Sequence, residues 1–173
     1  MLFKLIGSIL IMVASSFLGI YFSKECTRRP RELRELQRLL QMFENEISFL
    51  SSTVTEAFTK LSGYYESSIR LFFCETAEIL KHKNGINASE AWEIAVKENI
   101  KKTALKKEDE AIVLSFGKML GSSDLEGQIN NIRLTLTQLK MQEEKAEEAK
   151  EKNRTMYMNL GVLGGLAVVI ILI

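Results

Sequence analysis

The sequence predicts an all-α protein, an antiparallel six-helix bundle between two transmembrane helices, and three observations support this. Apolar residues recur at the three- and four-residue spacings of helices through most of the 173-residue chain, whereas the period-two alternation of strands is absent. The single proline and ten glycines are too few for a turn-rich β fold. Both ends of the chain are apolar, and the part between them is rich in charged residues.

The apolar ends predict two membrane anchors around one soluble domain. We assign 1–23 to an N-terminal transmembrane anchor, 24–155 to a cytoplasmic helical bundle with a long final helix, and 156–173 to a C-terminal transmembrane helix. Residues 17–22 are bulky where a signal peptide would carry its small-residue cleavage site, so a retained anchor is favoured. Basic residues follow the first apolar run and precede the second, which predicts a cytoplasmic bundle with both termini outside.

Apolar stripes and capping residues predict six helices within the bundle. Pro30 is expected to open the first long helix, because a proline needs no N–H partner there. Capping boxes, with Glu three residues after a Ser, Thr or Asn, predict helix starts at Thr53, Asn87 and Ser123. A further helix is expected over 107–120. The residues expected on the buried stripes include Leu33, Leu36, Leu40, Phe43, Ile47, Leu50, Ile69, Phe72, Thr76, Ile79 and Trp92.

The last helix is predicted to begin inside the bundle and to continue as a stalk. Its apolar seam repeats at four- and three-residue spacings from Leu125 to Leu139, and the same register then meets Glu143. We therefore expect residues 141–154 to form a solvated stalk that leads into the second transmembrane helix. Pairs of opposite charge four residues apart would stabilise this stalk.

The sequence predicts no catalytic, metal or cofactor site. Its one histidine, His82, lies between two lysines at the end of a predicted helix, and its two cysteines, Cys26 and Cys74, lack the spacing of a zinc site. The consecutive acidic residues 108–110 cannot share one helix face and are expected on the surface at a helix start. The net charge of +1 gives no indication of nucleic-acid binding. We expect a protein that is not an enzyme and carries no cofactor.

One candidate site is the corner between the last two helices of the bundle. Gly121 is expected to end a helix with a positive φ, and Gly117 to let a neighbouring helix pack closely. Asp124 lies at the start of the last helix, where a carboxylate is favoured, and Gln128 follows one turn later. Two interpretations are open, a purely structural corner and a partner-docking corner.

Two further groups are candidates for contacts with or within the membrane. Arg28, Arg29 and Arg31 follow the first apolar run and either bind anionic lipid headgroups or act only as a topology signal. Gly161 and Gly165 have the G-x-x-x-G spacing of paired transmembrane helices, although glycines tolerated in a lone helix are equally consistent with the sequence. Pairing with a second copy would make the protein a homo-oligomer.

Several segments resemble the stage III sporulation protein AB family of endospore-forming bacteria. Residues 116–124, Phe-Gly-Lys-Met-Leu-Gly-Ser-Ser-Asp, followed by Gln128, are similar to its F-G-x-x-L-G-x-(S/T)-D segment. Further similarity lies at 29–33 and at 156–161. The Ser-Ser-Thr-Val at 51–54 departs from the family pattern, which often has Pro-Leu there, and this affects only the start of the second helix.

The resemblance implies a fold like the cytoplasmic domains of the platform protein F of type II secretion and type IV pilus systems. It also implies a place in a secretion-like channel between mother cell and forespore, in the mother-cell membrane that faces the forespore. The implied partners are a cytosolic secretion-type ATPase, the stage III sporulation protein AA, and other stage III channel components. The expected function is a platform that couples this ATPase to the membrane complex.

A helical membrane signalling or lipid-sensing protein is the alternative function. It would be supported by heptads sustained through residues 140–155, and the sequence lacks them. A membrane enzyme is disfavoured because no His, Cys and carboxylate set converges.

Overall fold

The computed structural model describes residues 27–49, 52–63, 67–82, 85–121 and 124–172, with the backbone alone at 153–154 and 157–172. All regular structure in these ranges is helical, which confirms the all-α prediction. The helices are α1 over 27–48, α2 Val54–Leu61, α3 Arg70–His82, α4 Ala88–Asn99, α5 Lys107–Gly117 and α6 Leu125–Leu172, with a 3₁₀ turn at Ile100–Lys102.

The chain divides into two compact units. One unit is Arg29–Glu144, which contains most of α1, all of α2 to α5, and the beginning of α6. The other combines Met1–Arg28 with Lys145–Ile173 and contains the rest of α6. Within that second unit α6 runs without a break to Leu172.

Side-chain caps start α2 and α4 as predicted. The Thr53 hydroxyl accepts a hydrogen bond from the Glu56 N–H (3.3 Å), and the Asn87 carbonyl oxygen accepts one from the Glu90 N–H (2.9 Å). Each glutamate in turn accepts the N–H of its cap residue. These reciprocal bonds satisfy backbone donors that a helix start leaves without partners.

Two predicted helix boundaries are corrected by the structure, and a third concerns a residue outside the described ranges. Pro30 does not open α1, because residues 27–29 are already helical. Helix α5 ends at Gly117 and not at Leu120, because the following N–H groups form the three-residue bonds of a tightened turn (Leu120 N–H to Gly117 carbonyl, 3.1 Å). Ser123 lies outside the described residues, and the Asp124 carboxylate caps α6 by accepting the Gly127 N–H (2.9 Å).

Helices α1 and α6 run antiparallel within the Arg29–Glu144 unit. Arg34 Nε lies 2.6 Å from Glu143 Oε1, and Arg133 Nε lies 2.8 Å from Glu44 Oε1. The second pair lies ten residues further along α1 and ten residues back along α6, so the register of the two helices is constant between the pairs. This confirms the antiparallel arrangement for the first and last helices of the bundle.

The core of this unit is built around aromatic rings, and Trp92 lies at its centre. The ring centroid of Trp92 lies 5.1 Å from that of Phe73, 5.2 Å from that of Phe116 and 5.6 Å from that of Phe58. Its indole N–H donates to the Val113 carbonyl (2.8 Å), so the one polar atom of the buried ring has a partner. Other fully or almost fully buried residues are Leu33, Leu36, Leu39, Leu40, Phe43, Ile69, Phe72, Ala77, Ala91, Ala95 and Val96.

Among the described residues, we find no helix that combines the length and the hydropathy of a membrane span. The predicted N-terminal anchor at 1–23 lies outside the described residues. The predicted C-terminal transmembrane helix belongs to α6, but beyond Met156 only its backbone is described. Both transmembrane helices therefore stay predictions.

Candidate functional site

Polar contacts define one end of the Arg29–Glu144 unit, which we call the base. Arg29 Nη2 donates to Gln142 Oε1 (3.2 Å), so the residues at which the chain enters and leaves this unit lie side by side. The base comprises Arg29, Glu32, Asp109 and Gln142. The two long helices α1 and α6 are thus joined at the point where both leave the unit.

The opposite end, which we call the tip, comprises Phe49 and the corner between α5 and α6. Extending the α1–α6 register five residues beyond the Glu44–Arg133 pair brings Phe49 level with Gln128. Helix α5 runs from base to tip, because it begins beside Arg29 and its last turn accepts a hydrogen bond from Asn131 of α6. The candidate corner Gly117, Gly121, Asp124 and Gln128 therefore lies at the tip.

Gly117 is a point of close approach between α4 and α5, as predicted. A Cβ atom added to Gly117 would lie 2.2 Å from Trp92 Cδ1, which is far too close for two carbon atoms that are not bonded to each other. Any larger residue would have to displace either the fully buried indole ring or the backbone of α5. This contact gives Gly117 a structural role in placing the corner.

The remaining corner residues shape the turn into α6. Gly121 has φ +73°, a conformation that side chains disfavour, and an added Cβ would meet only Ala88 Cβ at 3.8 Å. Asp124 is exposed, and besides capping α6 with its side chain it accepts the Gln128 N–H at its carbonyl (3.0 Å). Gln128 is half-buried one turn into α6. The turn is therefore set by the φ of Gly121 and by the bonds of Asp124.

The tip also exposes large apolar side chains, which the sequence analysis did not anticipate. Phe49 is 82% exposed, Leu125 50% and Met119 41%. Phe49 directly follows the last helical residue of α1, where the bundle does not cover its side chain. Exposed apolar groups gathered at one end of a domain are typical of an interaction surface.

The strongest polar contact of the base is the pairing of Arg29 with Asp109. Arg29 Nε and Nη2 donate to the two carboxylate oxygens of Asp109, both at 2.8 Å. Asp109 Oδ2 also accepts the Lys106 N–H (2.8 Å) and so caps α5. The bonds to Asp109 raise the pKa of Arg29, which keeps the guanidinium charged. This pairing ties α1, α5 and α6 together through one guanidinium group.

One prediction is wrong at the base. Residues 108–110 were expected on the surface, but the Asp109 side chain is fully buried, because it pairs with Arg29 across the bundle. Arg29, a candidate either for lipid headgroups or for a topology signal, has its guanidinium paired with Asp109, and its role at the membrane stays a prediction. The spacing of three residues between Lys106 and Asp109 is that of a helix cap, so the sequence could indicate that Asp109 caps α5. The same spacing could not indicate that Asp109 pairs with Arg29.

The expectation of a solvated stalk from residue 141 is also wrong at Glu143. This residue is buried and accepts hydrogen bonds from Arg34 (2.6 Å), Gln37 (3.0 Å) and Lys140 (3.1 Å). Burial alone would raise the pKa of Glu143, but these three donors together hold it below its ordinary value. The seam of α6 therefore continues past Leu139 with a polar residue in place of an apolar one.

The other sequence candidates are placed as follows. Arg31 is exposed on α1, and Arg28 is half-buried and has a partner. Gly161 and Gly165 lie on the helical backbone of α6, where side-chain surroundings are not described, so their pairing stays a prediction. His82 ends α3 as expected, with Nε2 lying 3.2 Å from Glu78 Oε2.

The part of the chain that the structure describes contains no cluster of three or more His, Cys, Asp or Glu side chains able to hold a metal ion. Cys74 is a half-buried thiol of α3 that donates to the Ser62 carbonyl (3.4 Å). The arrangement offers ionic and apolar contact surfaces at its two ends.

Comparisons with known proteins give a consistent result. The family model of stage III sporulation protein AB matches residues 4–173. The stage III sporulation protein AB of Bacillus subtilis (strain 168) is 32% identical over 169 residues, which cover 98% of this chain and 98% of the relative. A solved structure of stage III sporulation protein AB superposes with a TM-score of 0.66 at 29% identity and covers 72% of this chain and 98% of that chain. This chain therefore belongs to the stage III sporulation protein AB family.

Proposed function

We propose that this protein is a non-enzymatic, membrane-anchored platform component of a secretion-like channel between mother cell and forespore. Its helical unit would lie in the mother-cell cytoplasm and couple a cytosolic secretion-type ATPase, the stage III sporulation protein AA, to the membrane complex. Membership of the stage III sporulation protein AB family supports a role in sporulation. The platform role, the location in the mother-cell membrane and the binding of the ATPase are our proposal.

The separation of base and tip is the observation that carries this proposal. The chain enters and leaves the Arg29–Glu144 unit at the base, where Arg29 bonds Gln142. The predicted anchors at 1–23 and 156–173 are linked to the base by residues 24–28 and 143–155, so they would hold the base towards the membrane and leave the tip accessible from the cytosol. The tip carries exposed Phe49, Leu125 and Met119, which suits docking of a soluble partner.

A binding measurement with the purified ATPase tests this proposal. We would immobilise the full chain in lipid nanodiscs and measure the Kd for the ATPase with wild type and with a Phe49→Ser/Leu125→Ser variant. Because exposed apolar anchors carry much of the energy of an interface, the Kd of this variant should rise by roughly tenfold or more.

The matched control is a Leu134→Ser/Met141→Ser variant, since these residues are similarly exposed on α6 away from the tip, at 58% and 54%. The control should bind the ATPase like wild type. A wild-type protein without measurable affinity for the ATPase would contradict the coupling role. An equal loss in both variants would contradict docking at the tip. In a deletion strain, the control gene should restore heat-resistant spores and the tip variant should not.

A further inference from the structure

The connection between α4 and α5 carries a cluster of lysines that no function described above uses. Lys101, Lys102, Lys106 and Lys107 are all exposed, and we call residues 100–107 the lysine loop. The exposed carboxylates next to it in sequence are Glu98 and Glu108, so the accessible charge of the segment is positive. Lys102 Nζ donates a hydrogen bond to Asn99 Oδ1 (2.8 Å).

The lysine loop is held at the base by two carboxylates. Glu32 of α1 is buried and accepts the Ala104 N–H with Oε2 (2.5 Å). Asp109 accepts the Lys106 N–H while it pairs with Arg29 (2.8 Å each). The Glu32–Ala104 and Arg29–Asp109 bonds connect residues 72 and 80 positions apart in the chain, so local sequence patterns could not indicate that the lysines lie beside the start of α1.

The base is also the end of the unit closest along the chain to the predicted anchors. Residues 24–28 separate Arg29 from the first apolar run, a stretch of roughly 7 Å as a helix or 17 Å fully extended. Charges act on each other over about 8 Å at physiological ionic strength, and a lysine side chain adds its own reach. On the α6 side, residues 143–155 lie between Gln142 and the predicted second span, about 20 Å of helix, of which the headgroup layer would take up about 5–8 Å. The remaining distance of roughly 12–15 Å is comparable to a Debye length plus the reach of a lysine side chain, so lysines at the base would come within range of the headgroups.

We propose that the lysine loop binds the anionic phospholipid headgroups of the membrane in which the chain is anchored. The loop and exposed Arg31 make the headgroup contact for which Arg29 was a candidate, because the charge of Arg29 is paired with that of Asp109. The loop gives the bundle a third contact with the bilayer besides its two predicted anchors, and this contact orients the tip away from the membrane. The inference rests on the anchoring in the proposed function.

Site-resolved labelling of lysine amines in nanodiscs tests the inference with the full chain. The nanodiscs contain either phosphatidylcholine alone or phosphatidylcholine with phosphatidylglycerol, and modification of each lysine is quantified by mass spectrometry. Each basic residue at an anionic surface is worth roughly fivefold in binding, so Lys101, Lys102, Lys106 and Lys107 should be labelled several-fold more slowly in the anionic nanodiscs. Lys81 and Lys118 serve as internal references and should not change.

Variants that remove lysine charges distinguish a specific contact of the lysine loop from a general effect of the protein's net charge. In a Lys101→Gln/Lys102→Gln variant, labelling of Lys106 and Lys107 in anionic nanodiscs should rise to the rate seen in phosphatidylcholine. The matched Lys81→Gln/Lys118→Gln variant removes the same charge from other exposed positions and should leave the protection of the loop intact. High salt should abolish the protection in wild type.

The outcomes distinguish this inference from the function on which it rests. A chain that does not co-elute with nanodiscs overturns both the anchoring and the headgroup contact. Equal labelling rates in the two lipid compositions, in a chain that is inserted, overturn the headgroup contact alone. Protection that appears only after the ATPase is added, in either lipid, would assign the loop to a protein partner and would also overturn it.

Discussion

Different interactions stabilise the two ends of the Arg29–Glu144 unit, the base and the tip. At the base, Asp109 pairs with Arg29 across helices, and next to the base residue Gln142 the Glu143 carboxylate accepts three hydrogen bonds. Towards the tip, close packing and backbone conformation determine the structure, because Gly117 lies against the Trp92 ring and the corner needs the positive φ of Gly121. The base should therefore respond to changes of charge and pH, and the region towards the tip to changes of side-chain volume.

This difference follows from the side chains at each end, which are charged at the base and apolar towards the tip. An ion pair with hydrogen bonds is directional, so it fixes which residues of α1, α5 and α6 lie level with one another. Apolar packing is not directional, but it tolerates little added volume in a filled core. The base thus sets the register of the helices, and the packing of rings sets their separation.

The largest effect is expected for Asp109→Ala at the base. The change leaves Arg29 largely buried without its carboxylate and removes the cap of α5, so we expect the free energy of unfolding to fall by roughly 3–5 kcal/mol. Urea denaturation of the full chain in detergent, followed by the fluorescence of the single tryptophan, Trp92, measures it. Glu108→Ala, at the exposed neighbour, is the control and should change stability by about 0.5 kcal/mol or less. If both variants lost the same stability, the pairing would not hold the base.

An Arg29→Met/Asp109→Leu variant sharpens the same test. It removes both charges and keeps apolar volume, so it should recover much of the stability lost in Asp109→Ala. A double variant as unstable as the single one would show that cap and geometry, and not the unpaired charge, dominate at the base.

An intermediate effect is expected for Gly117→Ala. The added methyl group overlaps the Trp92 ring, and the strain of moving that ring or α5 should cost roughly 1–3 kcal/mol. Gly63→Ala is the matched control, because the nearest atom there, the Lys60 carbonyl oxygen, would lie at an ordinary 3.7 Å. Thermal unfolding followed by circular dichroism in detergent compares the two. A Gly117→Ala protein as stable as its Gly63→Ala counterpart would contradict the close packing of α4 and α5.

The smallest effect is expected for Glu143→Gln, and it depends on pH. The pKa of Glu143 is lowered on folding, so its contribution is complete above the ordinary carboxyl value and is lost as the pH falls through the folded pKa. Between about pH 5 and pH 3, wild type should therefore lose more stability than the variant, by about 1 kcal/mol or less. Glu144→Gln, at an exposed position on the same helix, should keep the wild-type pH profile. Parallel profiles for wild type and Glu143→Gln would show that the three donors do not favour the ionised form.

Local sequence patterns predicted those parts of the fold that depend on neighbours in the chain. The starts of α2 and α4 follow from Thr53 and Asn87, whose caps reach only three residues ahead. The burial of Trp92 follows from the spacing of apolar residues, and the positive φ of Gly121 from its place after a helix. The failures at Asp109 and Glu143 have a common cause, since each residue is surrounded by polar positions in sequence and finds its partners on α1.

The sequence by itself determined that the chain is helical, where several helices begin, which apolar residues form much of the core and which family the chain resembles. These properties depend on periodicity, on capping and on motifs, and all of them are short-range. Only the tertiary structure decided that Arg29 turns inward, that the lysine loop lies at the base and that Phe49 and Leu125 share the tip. Those placements depend on contacts between residues far apart in the chain, because a side chain's charge or shape alone does not specify which distant partner it will meet.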